Sequence, residues 1–365
     1  MASGAERIKE IEEEMARTQV NKATEHHLGE LKARIAKLRR ELMKPKGGAS
    51  AGGFDVKKSG DSSVVFVGFP SVGKSTLLNQ LTNAKSDVAE YEFTTLTVVP
   101  GVMLYKGARI QMLDVPGIIQ GAAQGRGRGR EVLSVARNCD LLLIMLDVFQ
   151  AKTQLNVILH ELGEMGIRPN QKPPNVIITQ KQRGGMTLNS TVKMTKVTDK
   201  TIEKILGVYG IFNADVIVRT DINDDQFIDV VVGNRRYIPA LVTLNKCDLV
   251  DRKFTELVKK DLGMPSVEIS ADSGMGLAHL KESIYSHLKF IRLYMKPRFG
   301  EADLKEPMIM REGSTVGDVC DRVHRDLRVG FKHAFIWGKS AKFPGQKVGM
   351  DHVMVDGDVI HIVGR

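Results

Sequence analysis

Apolar positions divide the chain into a helical beginning and a longer part in which strands alternate with helices. Near the N-terminus, apolar residues recur every three or four positions in two stretches, Ile8 to Met15 and Leu28 to Leu42. This spacing predicts two helices. The break between them predicts an antiparallel helical hairpin whose second helix is capped by Asn21.

After a Gly-rich linker, short apolar runs of strand length follow one another with helical segments between them. From Asp61 to about Gly166 the order is β-α-β-β-α-β-α, and the continuous apolar run at Leu141–Asp147 predicts a strand buried on both faces. The same kind of pattern resumes at Tyr237–Leu244 and ends in a predicted helix at Leu277–Phe290. The chain is therefore predicted to be an α/β protein built on a mainly parallel sheet.

Two segments depart from this alternation. The first lies between Gly166 and Tyr237, where strand patterns at Asn175–Thr179 and Asp215–Arg219 with a helix at Thr201–Tyr209 indicate an inserted small α+β subdomain. From residue 291 onward, one helix among a few strands indicates a compact β-grasp module. The predicted organisation is a hairpin at 1–46, a linker at 47–60, the α/β domain at 61–166 and 237–290, the insert at 167–236 and the β-grasp module at 291–365.

The first predicted strand of the α/β domain leads into a phosphate-binding motif. Residues Gly68 to Ser75 match G-x-x-x-x-G-K-S and are followed by an apolar helix face. Gly68 and Gly73 allow the backbone to turn tightly and to direct its N–H groups at phosphate oxygens. Lys74 is expected to reach the β- and γ-phosphates, and the Ser75 hydroxyl to coordinate Mg²⁺.

A second strand end carries D-x-x-G. Asp114 is expected to hold a Mg²⁺-bound water, and the N–H of Gly117 to contact the γ-phosphate. Between the phosphate loop and this motif, a threonine is expected to close on Mg²⁺ and the γ-phosphate only in the GTP state. Thr95 is the first choice, and Thr94 is the alternative.

Two further strand ends indicate recognition of guanine. Asn245, Lys246 and Asp248 form N-K-x-D, and a buried Asp248 carboxylate accepts from two guanine N–H groups that adenine does not offer together. After the next strand, the backbone N–H of Ala271 is expected to donate to guanine O6. Ligands of open α/β sheets bind at the carboxyl ends of the strands, so the four motifs in this order predict a GTPase.

Ile118 stands where many GTPases have a glutamine that orients the attacking water. Hydrolysis must then use backbone groups, a monovalent cation or a partner, and we expect it to be slow in the isolated protein. The following segment, 121–130, ends in glycine alternating with arginine from Gly125 to Arg130. It is either a basic loop that orders on nucleotide or RNA, or a solvated loop.

Charge and composition add candidate partners. The formal net charge is +10, which favours a polyanion such as RNA, although an ordinary basic surface gives the same number. Residues 1–46 hold 11 Lys and Arg against 8 Glu, so the hairpin either binds RNA or a partner helix, or has a solvated face and docks on the GTPase domain. Three widely spaced cysteines indicate a reducing compartment, and no apolar run is long enough for a membrane span.

These motifs, together with Tyr91–Thr97 and Phe335–Gly338, closely resemble those of the developmentally regulated GTP-binding proteins, a branch of the Obg-like GTPases. The resemblance extends over essentially the whole chain. It implies a helical hairpin, a P-loop GTPase domain, a ribosomal-protein-like insert and a C-terminal TGS domain. It also implies cytoplasmic hydrolysis of GTP to GDP, association with translating ribosomes and their RNA, and a zinc-finger regulatory protein as partner.

The resemblance bears on the cofactors too. An apolar residue after D-x-x-G is shared by the family, so Ile118 is expected. Related potassium-stimulated GTPases have asparagine at the position of Ser71, and a hydroxyl is a shorter ligand than an amide carbonyl, so K⁺ stays open as a cofactor beside Mg²⁺.

The candidate residues fall into three sets. The catalytic set is Lys74, Thr95 and Gly117, and the magnesium set is Ser75, Thr95 and, through water, Asp114. The GTP-binding set is Gly68, Pro70, Ser71, Val72, Gly73, Lys74, Ser75, Thr76, Thr94, Asp114, Gly117, Asn245, Lys246, Asp248, Ser270 and Ala271.

Three functions fit these features. The first is a nucleotide-switched translation factor. The second is a GTP-binding scaffold or cytoskeletal adaptor with little turnover, whose basic hairpin binds an acidic filament such as a microtubule. A GTP-coupled RNA-modifying enzyme ranks last, because the sequence shows no second catalytic set.

Overall fold

The computed structural model describes residues 4–21, 24–43, 60–82, 99–115 and 135–364. They form two compact units. The described residues up to 43, together with 162–237, form the first unit, and the other described residues form the second.

The elements are numbered here in chain order. The helices are α1 (Gly4–Arg17), α2 (Glu25–Met43), α3 (Lys74–Leu81), α4 (Ala151–Glu164), α5 (Asp199–Val208), α6 (Asp224–Val232), α7 (Arg252–Leu262), α8 (Leu277–His287), α9 (Val316–Val323) and α10 (Arg325–Val329). The strands are β1 (Ser62–Gly68), β2 (Val99–Tyr105), β3 (Ala108–Asp114), β4 (Leu141–Asp147), β5 (Ile167–Pro169), β6 (Val176–Gln180), β7 (Met186–Ser190), β8 (Ala214–Val218), β9 (Arg236–Ile238), β10 (Ala240–Asn245), β11 (Ser266–Glu268), β12 (Phe290–Met295), β13 (Met308–Arg311), β14 (Phe331–Trp337), β15 (Gln346–Val348) and β16 (Val359–Gly364).

The second unit is built on a six-stranded sheet of order β11-β10-β4-β1-β3-β2. All neighbours are parallel except β2, which runs antiparallel to β3. Every residue of β1 is buried, and so is β4 up to its last residue, because helices cover both faces of a parallel sheet. The continuous apolar run at Leu141–Asp147 is confirmed as β4.

The predicted helix at Leu277–Phe290 is wrong at its C-terminal end. The helix stops at His287, Lys289 has φ 52°, and Phe290 begins β12 by pairing with Arg311 of β13. Leu288 and Phe290 both enter the core of this unit, so their apolar spacing fits a helix as well as a strand. Pairing with a distant strand decides the outcome, and the sequence nearby does not encode it.

The first unit contains the three-stranded sheet β6-β8-β7 with α5 and α6 packed on it. Helix α2 of the hairpin packs on this inserted subdomain: Ala33 joins its core, and the Tyr209 hydroxyl donates to the Ala33 carbonyl at 3.2 Å. At Gly29 an added Cβ would lie 2.6 Å from Thr201 Cγ2, so the two helices approach closely there. The alternative that expected the hairpin on the GTPase domain did not foresee this contact.

The cap of α2 is confirmed. The Asn21 side-chain oxygen accepts from the Thr24 N–H at 3.0 Å, and the Asn21 carbonyl accepts from the Glu25 N–H.

The C-terminal part of the second unit is a five-stranded sheet of order β13-β12-β16-β14-β15, with α9 packed on one face. This confirms the predicted sheet, but the one predicted helix is two, because the short helix α10 follows α9 after His324. Arg322 pairs with Asp61 at 2.9 Å, and Arg311 pairs with Asp140 at 2.6 Å. Asp61 and Asp140 precede β1 and β4, so the module docks on the amino-terminal edge of the large sheet.

None of the helices in the described ranges is both long and apolar enough to cross a membrane.

Candidate functional site

The register of the large sheet brings the motif-bearing strand ends to one edge. In β1, Phe66 pairs with Asp114 of β3, and Gly68 pairs with Met145 of β4. In β10, Asn245 pairs with Asp147 of β4. The phosphate loop, Asp114 and the N-K-x-D segment therefore leave the sheet side by side, at the carboxyl ends where ligands of open α/β sheets bind.

The phosphate loop requires glycine at two positions. Gly73, which precedes α3, has φ 96°, and a Cβ there would lie 2.4 Å from Asn245 Nδ2. At Gly68 a Cβ would lie 2.7 Å from the Met145 carbonyl oxygen. Ser71 also has a positive φ, 60°. The loop thus turns tightly at the N-terminus of α3, where backbone N–H groups and the helix dipole favour an anion.

The Lys74 side chain is held at this loop by backbone carbonyls of the loop. Its ammonium group donates to the carbonyls of Gly68 at 3.2 Å and Phe69 at 2.9 Å, and only 8% of the residue is exposed. Burial lowers the pKa of Lys74, and the nearby Asp114 carboxylate offsets part of this shift. A bound phosphate would place a counter-charge where solvation of the ammonium is poor.

Ser75 and Asp114 form a second polar pair beside Lys74. The Ser75 hydroxyl donates to Asp114 Oδ2 at 2.7 Å, and Asp114 is 8% exposed. A hydroxyl and a carboxylate are the oxygen ligands that Mg²⁺ prefers, directly or through water, so the pair fits that ion. In the described part of the chain, no cluster of three or more His, Cys, Asp or Glu side chains offers an alternative metal site.

Asn245 joins three loops of the site. Its Nδ2 donates to the Val72 carbonyl at 2.7 Å, and its Oδ1 accepts from the Ala271 N–H at 2.9 Å. The side chain is buried. The Ala271 N–H was expected to donate to guanine O6, whereas the structure directs it at Asn245. Ala271 thereby fixes the position of Asn245, which in turn holds the phosphate loop.

The rest of N-K-x-D differs from expectation at one residue. Asp248 is exposed, not buried, in a 3₁₀ turn at Cys247–Leu249. Lys246 has φ 66° and its ammonium pairs with Asp147 Oδ2 at 2.6 Å. Asp147 was not singled out from the sequence. The signal that could have identified it is a carboxylate at the end of an apolar strand.

Burial raises the pKa of the Cys247 thiol to about 11, so this cysteine stays protonated at neutral pH.

The remaining predicted residues are placed as follows. Pro70, Ser71 and Val72 lie in the phosphate loop, and Thr76 is exposed on α3. Ser270 is buried, and its hydroxyl accepts from the Ser273 N–H at 3.2 Å. Thr94, Thr95, Gly117, Ile118 and the segment 121–130 lie outside the described residues.

Family models match three consecutive parts of the chain. Residues 63–181 match a model described as 50S ribosome-binding GTPase. Residues 183–290 match the C-terminal region of that GTPase domain, and residues 291–364 match the TGS domain.

Curated relatives match over all or nearly all of their length. Developmentally-regulated GTP-binding protein 1 of Xenopus laevis is 49% identical over 370 residues, which is 100% of both chains. Developmentally-regulated GTP-binding protein 2 of Homo sapiens is 48% identical over 362 residues, 99% of each chain. An uncharacterized GTP-binding protein of Methanocaldococcus jannaschii is 53% identical over 361 residues, 98% of this chain and 92% of that one.

Proposed function

The chain belongs to the developmentally regulated GTP-binding protein family, and we propose that it is a Mg²⁺-dependent GTPase acting as a cytoplasmic, nucleotide-switched translation factor on ribosomes. One observation carries the enzymatic part of the proposal. A single sheet edge brings together the phosphate loop, Lys74, the Ser75–Asp114 pair and Asn245, which bonds to the backbone of Val72 and Ala271. This arrangement supplies donors for a triphosphate at one end and places the N-K-x-D segment beside it, where a base would bind.

In the proposed reaction, Lys74 and the loop amides bind the β- and γ-phosphates and stabilise the charge that develops during phosphoryl transfer. Ser75 and, through water, Asp114 would hold Mg²⁺, whose charge would neutralise that of the phosphates. Thr95, or Thr94 in its place, and Gly117 sense the γ-phosphate. Ile118 can neither donate nor accept a hydrogen bond, so we propose a low intrinsic rate that a partner raises.

Lys74→Ala tests the phosphate part. Loss of charged hydrogen bonds to phosphate should weaken GTP binding roughly 10- to 150-fold. Binding is measured with a fluorescent GTP analogue in Mg²⁺ and again with EDTA, and Lys305→Ala, an exposed lysine of the TGS domain, is the matched control. Unchanged affinity in Lys74→Ala would refute the assignment of Lys74, and wild-type affinity that is unchanged in EDTA would refute the Mg²⁺ requirement.

The ribosomal part of the proposal has separate support. The net charge of +10 favours RNA, and the model matched by residues 63–181 is described as a ribosome-binding GTPase. We expect the purified chain to co-sediment with ribosomes to different extents with a GTP analogue and with GDP. Equal sedimentation in both states would contradict the nucleotide switch.

The alternative, a GTP-binding scaffold with little turnover, makes a different prediction. If the chain is a translation factor, GTP turnover should rise when ribosomes or a zinc-finger regulatory protein of the family's type is added. If it is a scaffold, turnover should stay constant while the chain pellets with microtubules. Turnover in K⁺ compared with Na⁺ decides whether the Ser71 loop uses K⁺ as a cofactor.

A further inference from the structure

The TGS sheet has one face packed on α9 and an opposite face lined with rings. Along β14, Ala334 and Ile336 are buried against the helix, whereas the alternate residues His333, Phe335 and Trp337 point the other way and are half-buried. Such alternation normally gives polar residues on the outer face. Here three consecutive outward positions carry a histidine, a phenylalanine and the only tryptophan of the chain.

Neighbouring strands extend this row of rings. Phe335 pairs across the sheet with His361 of β16, and the two rings lie nearly parallel at 11° with centroids 6.4 Å apart. His333 meets Phe335 edge-on at 5.1 Å. Trp337 pairs with Val359, which pairs in turn with Tyr294 of β12. Phe335 and Trp337 therefore lie two residues apart on the same face of β14.

Positive charge borders these rings. The Lys296 ammonium lies 5.7 Å from the Trp337 ring centroid, and Lys347 is the cross-strand neighbour of Phe335. Residues 331–350 contain four lysines and no Asp or Glu. The pKa of His333 is lowered, first by partial burial and then by Lys347 and Lys332, which indicates a positive field. The nearby Asp356 carboxylate is ion-paired with Arg292 at 2.7 Å.

We propose that this outer face of the TGS sheet binds single-stranded RNA, with bases stacked on Phe335 and Trp337 and phosphates bound by Lys296 and Lys347. Unpaired bases stack on exposed aromatic rings, and a basic border follows the backbone. A duplex keeps its base faces covered, and an acidic peptide would satisfy the lysines but leave the rings without a partner. The choice of RNA over DNA rests on the ribosomal role proposed above, whereas the stacking surface does not depend on it.

The test uses the full chain and a fluorescein-labelled 12-nucleotide single-stranded RNA of mixed sequence, followed by fluorescence anisotropy. Phe335→Leu and Trp337→Leu keep an apolar side chain but remove the ring. Each should weaken binding at least about fivefold, since base–aromatic stacking is worth about 1–3 kcal/mol per base. Phe212→Leu, at a 68% exposed phenylalanine of the first unit, is the matched control and should leave affinity unchanged.

The lysines have a separate readout. In Lys296→Gln combined with Lys347→Gln, the slope of log K against log salt should fall by about 1.4, because a single strand releases about 0.7 counterion per phosphate contact. Lys193→Gln combined with Lys305→Gln removes the same charge elsewhere and should leave the slope unchanged. Slope changes of equal size in both double variants would show that only overall charge matters and would overturn the proposal.

Other basic parts of the chain can also attract RNA, so the ring variants decide the matter. Wild-type affinity in both Phe335→Leu and Trp337→Leu overturns the proposal, as does equal affinity for the duplex of the same sequence. Tighter binding of the matching single-stranded DNA overturns the assignment to RNA, and preferential binding of a labelled polyglutamate peptide overturns nucleic acid altogether. GTP turnover is measured on the same samples and should be unchanged, so failure here is distinguishable from failure of the proposed GTPase.

Discussion

Asn245 and Gly73 offer a sharp test of the site, because the structure predicts that substitutions at the two positions are not additive. The Gly73 backbone is left-handed, at φ 96°, and a Cβ there would lie 2.4 Å from Asn245 Nδ2. Gly73→Ala therefore carries two costs in the wild-type background. The left-handed conformation costs about 1–2 kcal/mol. Displacing the amide breaks its 2.7 Å bond to the buried Val72 carbonyl and costs about 1–3 kcal/mol more.

Asn245→Ala alone leaves the Val72 carbonyl and the Ala271 N–H without their partner. At about 1–3 kcal/mol for each orphaned group, the GTPase domain should lose roughly 2–6 kcal/mol of unfolding free energy. In that background the amide is already absent, and Gly73→Ala should cost only the backbone term. The two substitutions together should be less damaging than the sum of the single effects by about 1–3 kcal/mol.

Hydrogen exchange at the amides of β1 and β10 measures the free energy of opening the domain in all four proteins, without assuming that the whole chain unfolds in one step. Gly263→Ala is the backbone control, because Gly263 has φ 67° and no atom within 4 Å of an added Cβ. It should cost the left-handed term alone and should be additive with Asn245→Ala. If Gly73→Ala and Asn245→Ala also add to within about 0.5 kcal/mol, the contact between the two loops is not as described.

Three other predictions concern single residues. Asp248→Asn should weaken GTP binding relative to a xanthosine nucleotide in competition assays, and unchanged preference would remove Asp248 from base recognition. Asp229 is 4% exposed and forms ion pairs with Arg168 and Arg235 at 2.7 Å each, so Asp229→Asn should lower the unfolding free energy of the first unit by about 3–5 kcal/mol. Asp225→Asn, which removes an exposed ion pair, should lower it by only about 0–1 kcal/mol. Hydrogen bonds from Arg292 lower the pKa of Asp356 below its ordinary 3.8, so the stability that the pair gives the TGS domain is present above that value and is lost as pH falls through the lowered pKa. Acid unfolding followed by Trp337 fluorescence should therefore depend less steeply on pH in Asp356→Asn, and an unchanged profile would contradict this.

Those parts of the fold that depend on local pattern could be read from the sequence. The buried strand β4 and the loop from Gly68 to Ser75 were predicted because a continuous apolar run and two fixed glycines express the constraint within a few residues. Strand β7 was not predicted, because it is a short, largely polar edge strand with one side unpaired. Helix α6 was also missed: its run Phe227–Val232 is strand-like, although the Asn223–Gln226 capping box announces a helix.

Within the site, residue identity could be predicted better than contact. The four motifs name Lys74, Ser75, Asp114 and Asn245 correctly as neighbours, since strand ends of one parallel sheet must converge. The partner of each polar atom could not be predicted, because it depends on distances between strands that are far apart in sequence. The Ala271 N–H bonds to Asn245, and Asp147 holds Lys246. Both contacts cross from one strand end to the next.

The position of the TGS domain limits how a nucleotide can influence it. The domain is held at Asp61 and Asp140, and Asp140 also accepts from the Ser63 N–H at 2.9 Å, at the start of β1. The other end of β1 leads into the phosphate loop, so seven residues connect the two sites. That strand is buried throughout and paired on both sides, and bending it would disrupt two ladders of hydrogen bonds. We therefore assign any GTP-dependent change in ribosome affinity to the segments expected to sense the γ-phosphate, 84–97 and 115–130. The affinity of the TGS sheet for RNA should be the same with GTP and with GDP.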